Sequence, residues 1–387
     1  MDYIKITLKP GKEDSFHRFH PWVFSGAIYR FEKQPEEGDI VEVTDHQGNF
    51  IGIGQYQIGS IAVRILTFKP EEINEQFYFK RLQEAYNVRL SLGLLNGEYN
   101  NTCRLVHGEG DNLPGLIIDL YNKTAVMQAH TPGMHYARHQ IAQALKSVLG
   151  NAIDNIYYKS ETTLPYKAEL DAENEYLLGG DAPNIATENG LKFYVDWIRG
   201  QKTGFFVDQR ENRALLERYA HGRSVLNMFC YTGGFSFYAM RGNAKLVHSV
   251  DSSSKAIDLT CKNVELNFPG DNRHQAFAED AFKFLDTMGD QYDLIILDPP
   301  AFAKHKKVLN NALQGYRKLN AKAFEKIRPG GILFTFSCSQ VVSKENFRLA
   351  VFSAAAQSGR NVRILHQLTQ PADHQVGGQA VLGRQVS

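Results

Sequence analysis

From about Asn212 onward the apolar positions alternate between helical and strand spacing. Arg213 to Ala220 predicts a helix, Ser224 to Met228 a strand, and Phe237 to Met240 a further helix. Leu246 to Val250, Ser254 to Asn267 and Gln275 to Ala278 continue as strand, helix and strand. Two continuous apolar runs follow, Tyr292 to Leu297 and Gly331 to Phe336, with the helical stretch Ala312 to Ile327 between them. Strands apolar on both faces, separated by helices, predict a doubly wound parallel sheet. The first run delivers Asp298 to its C-terminal end, and the second delivers Cys338. In such a sheet ligands bind at the carboxyl ends of the strands, so neighbouring strands would turn both residues into one crevice.

The rest of the chain has a different pattern. Ile4 to Leu8, Asp39 to Val43, Phe50 to Gly54 and Ile61 to Phe68 are short strands set between turn signals such as Lys9-Pro10-Gly11. They predict a small β-barrel over residues 1–72. Ile73 to about Leu92 has helical spacing and leads into a central α/β region over 73–188. There Leu116 to Leu120 and Ala125 to Ala129 read as a hairpin, Tyr136 to Leu149 as an amphipathic helix, and Ile153 to Lys159 as a strand. The turn-rich stretch Leu178 to Asn184 marks a boundary. Asn189-Gly190 opens a hairpin-like segment, Leu191 to Ile198, which leads the third region, 189–387.

Length and composition narrow the class. A chain of 387 residues, 43% hydrophobic, is long enough for two or three cores. Its net charge of +1 gives no whole-chain argument for nucleic acid, so any RNA-binding surface must be a local patch. Cys103, Cys230, Cys261 and Cys338 are too widely and irregularly spaced for a zinc site or a disulfide framework, which fits reduced thiols in the cytoplasm. No His pair has metal-ligand spacing. The opening residues lack a signal-peptide pattern, and no apolar run is long enough to span a bilayer.

The candidate chemistry lies at the strand ends. The loop Phe229-Cys230-Tyr231-Thr232-Gly233-Gly234 joins a strand to a helix, and Asp251 ends the next strand. A glycine turn followed by an acid suits a nucleoside-bearing cofactor, and Asp280 after the third strand adds a second acid. The Gly-x-Gly-x-x-Gly fingerprint of dinucleotide enzymes is absent, which disfavours a nicotinamide dehydrogenase. Asp298-Pro299-Pro300 stiffens a strand exit and leaves carbonyls free to accept from a ligand. Cysteine often packs as a small hydrophobe, and Cys103, Cys230 and Cys261 are read that way. Cys338, between two serines at a strand end, is the candidate nucleophile. Lys202, Gln209 and Arg210, in the polar and aromatic run Gln201 to Arg210, could reach a cofactor carboxylate or an RNA phosphate.

At these residues the chain resembles the bacterial RlmI-like methyltransferases, which make 5-methylcytosine in large-subunit (23S) ribosomal RNA with S-adenosylmethionine. The matching segments are Gln201 to Arg213, Leu226 to Phe235, Val250 to Asn267, Asp298 to Phe302 and Thr335 to Ser339, with His20 to Gly26 near the start. The resemblance implies a PUA-like RNA-binding barrel, a central α/β domain and a Rossmann-like class I methyltransferase domain. It implies that Phe229, Tyr231, Thr232, Gly233 and Gly234 contact the cofactor's methionine part. It implies that Asp251 holds the ribose and that Asp280 meets the adenine amine. Asp298 would sit under the target base, with Gln209 and Arg210 close to the cofactor, and Cys338 would be the nucleophile. The partner implied is ribosomal RNA; no metal or membrane is implied, and a homodimer is left open.

Two departures from the family pattern stand out. Ala301 occupies the place where many RNA cytosine-C5 enzymes carry a second cysteine, so the group that assists elimination is open. Gln379 to Ser387 lacks the apolar final strand that the family carries. Two other readings compete with cytosine-C5 methylation. One is a base-nitrogen methyltransferase of the 7-methylguanine or N2-methylguanine type, which needs no cysteine. The other is a non-catalytic RNA-binding ribosome assembly factor.

Overall fold

A computed structural model describes residues 2–165, 170, 173–180, 182–303 and 305–375, and the chain forms two compact units. The first comprises Met1–Gly190, Val195–Asp208 and the stretch from Pro371. The second comprises Leu191–Tyr194 and Gln209–Gln370.

The first unit opens with β1 (Ile4–Leu8), β2 (Trp22–Phe24), β3 (Ile28–Phe31), β4 (Ile40–Thr44), β5 (Phe50–Tyr56) and β6 (Ile61–Thr67). They form one sheet in the order β2-β6-β5-β4-β1-β3, in which β1 and β4 run parallel. Alternating residues Ile6, Leu8, Val41 and Val43 point into its core, as the period of two requires. The short strands β2 and β3 carry too few alternating residues to announce themselves in the sequence.

Helix α1 (Glu75–Ser91) follows, capped by Asn74, whose side chain accepts from Phe77 N at 3.1 Å. Then come β7 (Thr102–His107), β8 (Leu116–Tyr121), β9 (Thr124–Ala129), α2 (Pro132–Tyr136), α3 (Arg138–Leu149), β10 (Asn155–Tyr158), β11 (Glu175–Leu178) and β12 (Ile185–Glu188). The second sheet runs β11-β10-β9-β8-β7, and α1 and α3 contribute Leu82, Ile141 and Leu145 to its core. The helix expected over Tyr136 to Leu149 is α3, and the short helix α2 precedes it. Thr131 caps α2 by accepting from Met134 N, with Pro132 at its first position, and Ala137 separates the pair.

Beneath this sheet lies a buried ionic network. The Arg104 guanidinium makes two bonds to the Asp119 carboxylate, at 2.8 and 2.9 Å, and a third to His107 Nδ1 at 3.2 Å. Thr203 Oγ1 donates to Asp119 Oδ2 at 2.6 Å.

The second unit contains β13 (Leu191–Tyr194), α4 (Arg210–Ala220), β14 (Ser224–Met228), α5 (Gly234–Arg241), β15 (Leu246–Asp251), α6 (Ser254–Asn267) and β16 (His274–Ala278). It continues with α7 (Ala281–Thr287), β17 (Leu294–Leu297), α8 (Leu309–Lys326), β18 (Ile332–Thr335) and α9 (Lys344–Gln357). Five strands form an all-parallel sheet in the order β16-β15-β14-β17-β18. Neighbouring strand residues face opposite layers. Leu226, Met228, Ile295 and Leu297 pack with α7 and α8, whereas Val225, Leu294 and Ile296 pack with α4, α5 and α6. The doubly wound sheet expected from the alternation is present. Among the described residues no strand follows β18, and the unusual tail Gln379 to Ser387 lies outside them.

The His107 ring titrates in a measurable window. Burial first, and then the neighbouring Arg104, push its pKa from 6.5 down to about 3. Between those values the unfolded chain binds a proton that the folded protein refuses. Its contribution to stability is therefore complete above pH 6.5 and is lost as pH falls toward 3, by at most about 1.4 kcal/mol per pH unit. The thermal midpoint of the wild type should drop further between pH 7.5 and 5 than that of His107→Gln, which cannot titrate. Parallel curves for the two proteins would refute this account.

Candidate active site

The strand order reverses between β14 and β17, and their carboxyl ends open the crevice where such sheets bind ligands. On the β14 side stands the glycine loop. Phe229 and Tyr231 adopt left-handed backbone with φ of 58° and 48°, unfavourable for residues of this bulk, and Gly233 follows at 82°. The surrounding structure holds this conformation. Cys230 N donates to Val250 O at 3.0 Å, and Tyr231 N donates to Asp251 Oδ2 at 2.9 Å. From α6, Thr260 Oγ1 donates to Tyr231 O and Asn263 Nδ2 to Thr232 O, both at 2.9 Å. Thr260 and Asn263 were not singled out in the sequence. Their signal is a polar pair three residues apart on a helix that is otherwise apolar on that side.

Asp251, the last residue of β15, uses one oxygen on Tyr231 N and the other on Ser253 N, at 2.9 Å each. Each oxygen keeps a lone pair that can accept from a ligand hydroxyl. Asp280 caps α7: its Oδ1 accepts from Phe282 N and Lys283 N, both at 3.0 Å, and the residue remains exposed. The acid at the third strand end thus also starts a helix.

On the β17 side, Asp298 Oδ2 accepts from Gln209 Nε2 at 3.2 Å. Gln209 Oε1 in turn accepts from Asn212 Nδ2 at 2.6 Å, so the start of α4 fixes the amide beside the carboxylate. Arg210 turns inward, with its side chain 2% exposed and Nε 3.3 Å from Glu211. Lys202 lies over the Phe206 ring, 4.9 Å from its centre.

Strands β17 and β18 are neighbours with Leu297 opposite Thr335, which sets Asp298 and Cys338 at adjacent strand ends. The Cys338 thiol donates to Pro299 O at 3.5 Å, tying it to the residue that follows Asp298. Cys338 is exposed, whereas Cys103 and Cys230 are buried. Burial, and then the Asp251 charge, push the Cys230 thiol far up, so this loop cysteine is a packing group. Cys261 is exposed, but partial burial and the Asp258 charge raise its pKa as well. Among the described residues no cluster of His, Cys, Asp or Glu is arranged to hold a metal ion, and no helix is long and apolar enough to cross a membrane.

A glycine loop and three acids at the ends of a doubly wound parallel sheet define a nucleoside-cofactor-binding α/β enzyme. Residues 158–380 match the family model of the S-adenosylmethionine-dependent methyltransferases, and residues 6–68 match a PUA-like domain. The ribosomal RNA large subunit methyltransferase I of Tolumonas auensis is 40% identical over 96% of this chain and 94% of its own length. That of Escherichia coli strain SMS-3-5 is 36% identical over 96% and 95%. A solved SAM-dependent methyltransferase from Streptococcus mutans superposes with a TM-score of 0.81 at 22% identity, covering 97% of this chain and 96% of that one. The chain belongs to the S-adenosylmethionine-dependent methyltransferases and, among them, to the ribosomal RNA large subunit methyltransferase I family.

The residues present fit that cofactor. Carboxylates at three successive strand ends offer acceptors to ribose hydroxyls and amines, and Gly233, with no side chain, lets the loop backbone pack against Thr260 of α6. A Cβ at Gly233 would lie 2.6 Å from Thr260 Cγ2, on a backbone of positive φ that costs a non-glycine residue roughly 1–2 kcal/mol. Gly233→Ala should weaken S-adenosylmethionine binding at least tenfold by calorimetry. Adding Thr260→Ser, which removes the clashing methyl but keeps the hydroxyl on Tyr231 O, should recover part of the loss. No recovery would mean that steric contact at Thr260 is not the cause. Iodoacetamide should label Cys338 first and Cys261 more slowly. Cys103 and Cys230 should react only after unfolding, as peptide mass spectrometry would read.

Proposed function

We propose that the protein methylates carbon 5 of a cytosine in large-subunit (23S) ribosomal RNA, in the cytoplasm, with Cys338 as nucleophile and Asp298 as its acidic partner. The observation that carries this reading is the pairing of β17 and β18, which brings an exposed thiol beside the Asp298-Pro299-Pro300 strand exit. Family membership supports the cofactor and the class of substrate. The working division is a barrel over 1–72, a central domain over 73–188 and a methyltransferase domain over 189–387.

The cofactor is assigned to Phe229, Tyr231, Thr232, Gly233 and Gly234 for its methionine part, Asp251 for the ribose and Asp280 for the adenine. Asp298 and Gln209 border it, while buried Arg210 orders the start of α4. When bound, S-adenosylmethionine supplies an electrophilic methyl group. Cytosine C5 is by itself a poor nucleophile. The Cys338 thiolate adds to C6 of the ring, and the electron pair displaced toward C5 makes that carbon nucleophilic. Asp298, in its protonated form, donates to N3 and stabilises the charge that develops in the ring, with Gln209 Nε2 bonded to the carboxyl group. Loss of the C5 proton to a base then expels the thiolate and restores the ring. The target base must be unpaired or flipped out, at a cost of a few kcal/mol.

The barrel is assigned the grip on RNA. Phe19, Phe24 and Tyr29 are exposed there, interleaved with exposed Lys9, Arg18 and Arg30. Aromatic faces beside cations suit unpaired bases and phosphates.

The test is nucleoside mass spectrometry of unmodified ribosomal RNA incubated with S-adenosylmethionine and each variant. Wild type should make 5-methylcytosine, Cys338→Ala should make none, and Asp298→Asn should be slower by on the order of a hundredfold. Methylated guanine formed equally by wild type and Cys338→Ala would replace this reading with base-nitrogen methylation. Failure of the wild type to bind S-adenosylmethionine would favour an RNA-binding assembly factor.

A further inference from the structure

Tyr316, on α8, is fully buried although it carries a hydroxyl. That hydroxyl lies 2.9 Å from Ser339 Oγ, and the same Ser339 oxygen accepts from Ala303 N at 3.4 Å. Ser337 Oγ in turn accepts from Ser339 N at 3.4 Å, so the two serines that flank Cys338 are joined to each other. The phenol oxygen therefore meets the serine that follows Cys338, and through that serine it is connected to the loop that follows Asp298. The ring is fixed as firmly as the hydroxyl. It packs 4.6 Å from the Phe302 ring centre and edge-on to Phe347 at 5.2 Å. Ala303, Ala312 and Ala350 complete a small apolar cluster around it. Gly315, one residue earlier on α8, lets Phe302 approach: a Cβ there would meet the ring at 3.0 Å.

These contacts place a rigid donor and acceptor against the residue that follows Cys338. The Cys338 S–H donates to Pro299 O at 3.5 Å, a bond that ends when the thiol ionises. The loop that carries the sulfur is held at Ser339 through Tyr316 in either state of the thiol. Burial raises the pKa of the phenol, so it stays protonated at neutral pH.

We propose that Tyr316 is a positioning residue: through Ser339 it sets the Cys338 thiol against the Asp298 loop. The inference rests on the cytosine-C5 reading for its consequence in catalysis, and on the hydrogen bonds alone for its consequence at the thiol.

The test uses Tyr316→Phe, which keeps the ring between Phe302 and Phe347 and removes the oxygen. Ser339→Ala removes the same bond from the other side. Two quantities are measured in the full-length protein: the rate of Cys338 alkylation by iodoacetamide against pH, and the kcat and KM of methyl transfer to ribosomal RNA. Both variants should shift the midpoint of the alkylation profile, leave Cys261 labelling unchanged, and lower kcat ten- to a hundredfold with KM for RNA and S-adenosylmethionine within twofold. The double variant should be no slower than the slower single one, because both remove one link. An unchanged Cys338 profile in both variants, or KM rising in step with a constant kcat, would overturn the proposal. A thermal midpoint within a few degrees of wild type certifies that each variant is folded, and Ser339→Ala decides the matter if Tyr316→Phe is not. Full activity of Cys338→Ala would sink the C5 reading separately, and the alkylation profiles would still decide whether Tyr316 holds the thiol.

Discussion

The site depends on one register: β17 against β18, in parallel, with Leu297 opposite Thr335. A parallel pair ends on one side of the sheet, so the residues just beyond the two strands share a rim. Here Phe336 N donates to Leu297 O at 2.9 Å and carries the pairing one residue past the regular ladder. Asp298 therefore leaves the sheet where the Phe336 to Ser339 turn begins. Slipping the register by one residue would invert every side chain of β18. Leu333 would leave the α7 and α8 layer, so the cost of a misplaced thiol is the loss of the core itself. Hydrophobic packing thus sets which strand ends meet, and the hydrogen bonds at the rim act within that frame.

The cofactor loop is organised differently, by strain that polar contacts resist. Two bulky residues with positive φ each carry a penalty of about 1–3 kcal/mol. Asp251, Thr260 and Asn263 offset it by satisfying the loop's amides and carbonyls. The same carboxylate that would accept from a ribose hydroxyl thus also shapes the loop that receives the rest of the cofactor. Substitution of Asp251 would combine loss of a ligand contact with loss of the loop.

Much of the second unit was legible because its strands are buried on both faces and its helices on one. Ser224 to Met228 and Ser254 to Asn267 have the boundaries expected, the latter because Ser253 caps the helix by accepting from Ala256 N. Helix α9 was missed, for its apolar residues Leu349 and Phe352 face outward and give no single buried stripe. Helix α7 was missed because its cap, Asp280, was read as a ligand group; a residue at a strand end and a helix start serves both descriptions. Asp298 and Cys338 could be named from strand ends alone. Tyr316 could not, since a buried tyrosine on an amphipathic helix has the same pattern whether it packs or positions. Only the fold shows that its oxygen meets a serine more than twenty residues further on.

The last described residues tie sequence order to folding. Arg89 is fully buried, and a buried cation without partners costs several kcal/mol. It is neutralised by Asp111 and completed by Asp373, whose carbonyl accepts from Arg89 Nη2 at 2.9 Å. The Asp373 carboxylate accepts from Arg104 N at 2.9 Å, and a Cβ on Gly110 would lie 2.1 Å from Gln375 O, so only glycine admits this segment. The first unit therefore takes its final ligands from residues that follow the entire catalytic sheet. Contacts of such long sequence separation form late, after most of the chain has been ordered. The buried polar groups of the central domain lack their last partners until Pro371 to Gln375 arrive, and so the segment carrying Cys338 is synthesised before the unit that precedes it can be finished.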